Sequence, residues 1–141
     1  MEDVPLGRLL GIAGRLVQGR FHRVLEAQGL THAGWQVLLA LWKDDNLTQR
    51  EVADRVYVTQ ATVTGVVDTL EREGFVTRTR DETDRRVVRV ALTKDGRRRL
   101  ERTFKTVAAE MAPVFEDMTP REEQVVRRFL TRTVERLRES G

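Results

Sequence analysis

Asp84-Arg85-Arg86 lies in the middle of a strongly basic stretch and is the part of this chain best equipped to meet an anion. A guanidinium can grip a phosphate through two parallel N–H bonds, and a neighbouring carboxylate can hold the guanidinium in position by the same fork geometry. A carboxylate beside phosphate is otherwise repelled, so Asp84 is expected to orient Arg85 or Arg86, with an isolated surface Asp as the alternative, and Asp81 has the same capacity. Between Val76 and Arg99 nine Lys or Arg stand against four Asp or Glu, a local excess of +5 in a chain whose total is +3. Charge concentrated in this way suits phosphate neutralisation and the placing of arginine in a narrow, electronegative minor groove. The alternative, ordinary solvated turn charges, is less favoured for arginines between two strands that follow two short helices.

The residues upstream can read bases. Gln60 can bond adenine through both its amide groups, and Thr62 or Thr64 can donate to a base or pack a methyl on thymine; failing that, they reach phosphate or water. Catalytic chemistry finds no comparable set. There is no cysteine, the two histidines, His22 and His32, are ten residues apart, and no Gly-rich phosphate loop, HExxH or GxSxG string occurs. A non-enzymatic protein without cofactor or resident metal is the resulting expectation. Two rivals remain: a metal-responsive regulator, in which the histidines join Asp or Glu, and a winged-helix module for protein contacts, which would call for an apolar or acidic wing rather than a basic one.

The elements that must position these residues are legible between Thr48 and Thr93. Thr48-Gln49-Arg50-Glu51 has the spacing of a capping box, and Val52, Ala53 and Val56 follow at core spacing. Thr59 is the next N-cap, after which Val63, Val66, Val67 and Leu70 bury one face of a helix and leave Ala61, Thr64, Gly65 and Asp68 on the other. Gly74 suits a left-handed helix stop. From Val76 to Arg80 and from Val88 to Leu92 the period changes to two, as in a pair of antiparallel strands with one face on a core. Helix, turn, helix, hairpin is the order of a winged helix-turn-helix.

These residues resemble the MarR (multiple antibiotic resistance regulator) family of transcription factors over nearly the whole chain. Leu30-Thr31 with Trp35-Gln36-Val37-Leu38, Leu47-Thr48 with Glu51-Val52-Ala53, Thr62-Val63-Thr64 with Asp68-Thr69-Leu70-Glu71, Gly74-Phe75-Val76, and Asp84-Arg85-Arg86 through Leu92-Thr93 fall in the family's order. The resemblance implies a homodimeric repressor on a pseudo-palindromic operator, relieved by a small ligand or chemical signal. It implies one MarR-type domain over 1–141, with a winged helix-turn-helix over 31–93 and a helical dimerisation region from 1–29 and 94–141. The DNA-facing set is then Thr48, Gln49, Thr59, Gln60, Ala61, Thr62, Thr64, Gly65, Arg78, Asp84, Arg85 and Arg86. Gly65 departs from relatives that carry a long basic residue there, and Tyr57 stands in a turn where many helix-turn-helix proteins use glycine. The resemblance also implies an effector pocket, for which Arg15, Gln18, His22, Trp35 and Arg89 are candidates, with an aromatic acid or phenol as effector. For Trp35, plain core is the favoured alternative. Peroxide sensing through cysteine, known in some members, is closed to this chain.

Outside the head the chain reads as helix, giving a mainly α fold with a small antiparallel β wing. Apolar stripes run from Leu6 to Leu25, from Trp35 to Trp42, from Leu100 to Met111 and from Val126 to Leu137, with Thr119-Pro120-Arg121-Glu122 as a capping box and Pro113 as a helix end. Gly7, Gly11 and Gly14 fall near one face of the first helix, where they either admit a partner helix closely or reflect loose packing. The terminal stripes are too wide for one small head to bury, so a homodimer is expected. No apolar run is long enough to span a bilayer and no tripartite leader is present, which makes the cytoplasm the expected location.

Overall fold

The computed structural model describes all of Met1–Gly141. The chain forms α1 (Leu6–Ala27), α2 (His32–Lys43), β1 (Leu47–Thr48), α3 (Gln49–Val56), α4 (Gln60–Arg72), β2 (Val76–Arg80), β3 (Val88–Leu92), α5 (Lys94–Phe115) and α6 (Pro120–Glu139). Two compact units are present, Met1–Glu110 and Met111–Gly141. In the first, Leu25, Leu38, Leu41, Val52, Val63, Val67, Val76 and Val90 are fully buried and form one core under the head. The valines and leucines of α4 recur at helical spacing, so Val63, Val67 and Leu70 face inward while Ala61, Thr62, Thr64 and Gly65 stay exposed.

Each short helix is set by a hydroxyl cap. Thr31, Thr48 and Thr59 accept the backbone N–H groups of Gly34, Glu51 and Thr62 at the starts of α2, α3 and α4. At Thr48 only this half of the expected capping box forms; the reciprocal bond, from the Thr48 N–H to the Glu51 carboxylate, is absent, whereas Thr119 and Glu122 make both halves at α6. Gly74 ends α4 with φ +81°, as its lack of Cβ permits, and Tyr57 ends α3 in the left-handed region at φ 59°. Pro113 does not end α5, which continues to Phe115. Near a C-terminus the missing N–H costs a single hydrogen bond, so one more half-turn survives it.

The hairpin gains a partner that periodicity did not reveal. The sheet has the order β1-β3-β2, with Leu47 opposite Val90, Thr48 opposite Arg89, and β2 paired to β3 from Val76–Leu92 to Arg80–Val88. β1 pins the wing to the start of α3, since Thr48 both pairs with β3 and caps that helix.

The second unit holds the end of α5 and all of α6. α6 buries no residue, and Val125, Val126, Leu130, Val134 and Leu137 are exposed along it.

A candidate nucleic-acid interface

The wing tip is organised by two carboxylates. Asp81 accepts the Thr83 hydroxyl at 2.6 Å and the N–H groups of Thr83 and Asp84 at 2.9 and 3.2 Å, while its other oxygen takes Arg89 Nε at 2.6 Å. The bonds from Thr83 and Arg89 hold the Asp81 carboxyl well below the usual carboxylate range, because each favours the charged form. Asp84 takes Arg86 in a two-point grip, Nε to Oδ1 at 3.1 Å and Nη2 to Oδ2 at 3.2 Å, and also accepts the Arg86 N–H. That side-chain grip, with the backbone bond behind it, lowers the Asp84 carboxyl too. Arg86 is thus the arginine that Asp84 orients, and its side chain is 90% exposed. Arg80 reaches the Arg85 carbonyl at 2.8 Å, which ties the rising strand to the tip and leaves the Arg85 guanidinium projecting. Asp81, by contrast, grips Arg89 rather than either tip arginine.

Beside the wing, α4 presents Gln60, Ala61, Thr62, Thr64 and Gly65 outward. Thr59 and Thr62 hydroxyls lie 3.0 Å apart, and Thr64 donates to the Gln60 carbonyl at 3.0 Å. A Cβ on Gly65 would meet nothing within 4 Å, so the small side chains leave room for a close approach. Thr48 is half-buried by its capping role, and Gln49 donates to the Thr64 hydroxyl at 3.4 Å. Arg78, unlike Arg85 and Arg86 at the tip, is engaged within the fold, as Arg89 is. Its guanidinium pairs with Asp68, with Glu71 at 3.3 Å and with Gln49 Oε1 at 3.4 Å, and its own N–H donates to Glu71 at 3.1 Å. Asp68 and Glu71 belong to the family-like run Asp68-Thr69-Leu70-Glu71, and Asp68 reads as part of the free face of α4, but no spacing in the sequence pairs either with Arg78.

The effector candidates are not brought together. Arg15, Gln18 and His22 are exposed on α1, where His22 lies 3.8 Å from Glu26. Trp35 is buried and stacks on Phe104 with centroids 6.4 Å apart, so it is core. Arg89 is spent on Asp81 and on the Asn46 carbonyl at 3.3 Å. A different feature has the character of a ligand site: a groove of about 380 Å³ between α2 and α5, lined by Leu39, Trp42, Lys43, Leu100, Glu101, Phe104 and Lys105. Its walls are apolar and its charged groups are two ammonium groups, of Lys43 and Lys105, and one carboxylate, of Glu101. Trp42 also takes Arg97 over its ring at 5.4 Å; Arg97 in turn meets Asp45 at 3.3 Å, and Asp45 accepts the Leu92 N–H at 3.0 Å where β3 ends. No group of three or more His, Asp or Glu side chains is arranged to hold a metal.

An exposed second helix, small polar residues along it and a basic antiparallel hairpin beside it define a winged helix-turn-helix DNA-binding protein. The sequence profile of the MarR family matches residues 30–88. The HTH-type transcriptional repressor YetL of Bacillus subtilis is 34% identical over 112 residues, covering 78% of this chain and 67% of that protein. Alignments with several further curated relatives span 60% of their lengths. Among solved structures, a MarR-family transcriptional regulator from Rhodococcus sp. RHA1 superposes with TM-score 0.80 at 30% identity over 89% of each chain. CouR from Rhodococcus jostii RHA1, bound to p-coumaroyl-CoA, does so with TM-score 0.81 at 31% identity over 92% of this chain and 90% of its own. The chain belongs to the MarR family of transcriptional regulators.

Proposed function

We propose that this protein is a ligand-responsive repressor that binds a pseudo-palindromic operator as a homodimer in the cytoplasm. The observation that carries the DNA-binding mode is Arg86, held by Asp84 in a two-point grip at an exposed tip beside the open face of α4. A guanidinium fixed before binding loses little rotamer freedom on entering a minor groove, while Gln60, Thr62 and Thr64 face the adjacent major groove. Arg85, Thr59, Ala61 and Gly65 complete the contact surface. Paired heads would meet half-sites about 10 base pairs apart or a multiple of that. No helix is long and apolar enough to cross a membrane, and the repressor role is supported by the likeness to YetL.

The α2–α5 groove is the proposed effector site. Apolar walls with Lys43 and Lys105 outnumbering the single carboxylate of Glu101 suit an aromatic or acyl group that carries a negative charge, and the p-coumaroyl-CoA bound by CouR is of that kind. Arg15, Gln18, His22, Trp35 and Arg89 do not line this groove. Selection of duplexes from a random pool by the wild-type protein, followed by anisotropy titration at several salt concentrations, tests the reading. A sequence-selective dimer should enrich an inverted repeat and lose affinity steeply with salt. Failure to enrich any sequence, or a flat salt dependence, contradicts it. Release of the selected duplex by an aromatic carboxylate or its thioester, abolished by Phe104→Ala, tests the groove.

A further inference from the structure

We infer that Arg78 is a positioning residue for DNA binding, clamping the base of the wing to the recognition helix through Asp68, Glu71 and Gln49 rather than touching DNA itself. The inference rests on the DNA-binding reading above and concerns how the surface is held. Arg78 sits on β2, Asp68 and Glu71 on α4, and Gln49 at the start of α3, so one guanidinium joins the three elements that carry the head. Its side chain is 25% exposed, against 90% for Arg86 at the tip. A second bond runs through the backbone, from the Arg78 N–H to Glu71, so the strand itself is tied to α4 and not only its side chain. Gln49 passes the arrangement on: its carbonyl oxygen takes Arg78 while its amide donates to Thr64, a residue of the exposed α4 face. A cation already engaged by two carboxylates and an amide has few N–H groups left for phosphate, and leaving the carboxylates unpaired would expose DNA to two negative charges.

Charge and position make opposite predictions for the acids. Asp68→Asn with Glu71→Gln removes two negative charges from the DNA-facing side, so electrostatics alone would tighten binding. If Arg78 positions, the same change frees the guanidinium and loosens the joint between wing and α4, and affinity for the selected duplex falls about tenfold. Arg78→Ala should cost a similar factor and blunt discrimination between selected and scrambled duplex, while the slope of log K against log salt stays that of the wild type. An arginine bound directly to phosphate would instead, on removal, make that slope shallower by about 0.9 per phosphate. Arg78→Ala placed in the Asp68→Asn, Glu71→Gln background should add little, and Arg78→Lys, which keeps one ion pair but not the bridge to all three partners, should fall between. Circular dichroism and thermal melts accompany each variant, and the two carboxamide substitutions, conservative in volume, keep the test valid should Arg78→Ala unfold. Tighter or unchanged binding by the carboxamide variant, or a reduced salt slope for Arg78→Ala or Arg78→Lys, overturns the inference. A wild-type protein that enriches no sequence defeats the DNA-binding reading itself, and this one with it.

Discussion

Asp81 and Asp84 lie three residues apart and do different work: one builds the wing tip, the other aims an arginine. Arg86→Ala should therefore weaken operator binding by roughly 1–3 kcal/mol per half-site, and Arg85→Ala by less, because Arg85 must be ordered on binding whereas Arg86 is already held. Anisotropy titrations of the two variants at one salt concentration decide this, and a larger loss for Arg85→Ala would reverse the assignment. Gln60→Ala should lower discrimination at one operator position more than it lowers nonspecific affinity, and equal losses on every duplex would make Gln60 a backbone anchor. Asp81 gives the tip a defined response to acid. Its carboxyl is depressed in the folded protein and ordinary in the unfolded chain, so its stabilisation is complete above the unfolded value near about pH 4 and is lost only as pH falls through the lower folded value. Between pH 5 and 8 the tip should not change, and a carboxyl-carbon NMR titration of Asp81 should have its midpoint well below the usual range. A midpoint in that range would mean the bonds from Thr83 and Arg89 do not hold in solution.

At the scale of elements, the joint between the wing and α5 depends on one glycine. Thr93 donates its N–H to the Phe75 carbonyl at 3.1 Å and its hydroxyl to the Gly74 carbonyl at 2.6 Å, and accepts the Gly96 N–H at 2.9 Å, so α5 starts directly against the entrance to β2. A Cβ at Gly96 would stand 2.0 Å from the Phe75 carbonyl oxygen, a clash with backbone that no side-chain rotation relieves. Gly96→Ala should push α5 off this turn and cost roughly 1–3 kcal/mol, read as a lower Tm together with a displaced Phe75 amide resonance. An unchanged Tm would show that the turn and helix can separate at no cost.

At the scale of the whole molecule, α6 has a continuous apolar stripe and buries none of it, with Leu137 70% and Val125 51% exposed. A helix of this kind calls for a partner, and a second copy of the chain is the proposed one. Sedimentation equilibrium at micromolar concentration should give a dimer, and Leu130→Asp should destabilise dimer and fold together, since it places a charge in the proposed interface. A well-folded monomer of the wild type would defeat both the dimer and the expectation of a palindromic operator.

The sequence by itself determined the elements whose signals are local. Caps at Thr48, Thr59 and Thr119, the period of Val63, Val67 and Leu70, the stop at Gly74 and the alternation after it all depend on residues a few positions apart, and each is where expected. The basic wing and its Asp84–arginine pair were legible for the same reason. Tertiary structure alone decided the rest. β1 is two residues long and exists because Val90 and Arg89, more than forty positions later, pair with it. Arg78 reads in the sequence as one more wing cation, and only the fold puts Asp68, Glu71 and Gln49 around it; Arg89 is likewise claimed by Asp81 across the hairpin. The α2–α5 groove arises from the packing of helices far apart in the chain, and no spacing within either one announces it. Short-range patterns fix which backbone a segment adopts; which charge a side chain meets is settled by whatever long-range packing brings within a few ångströms of it.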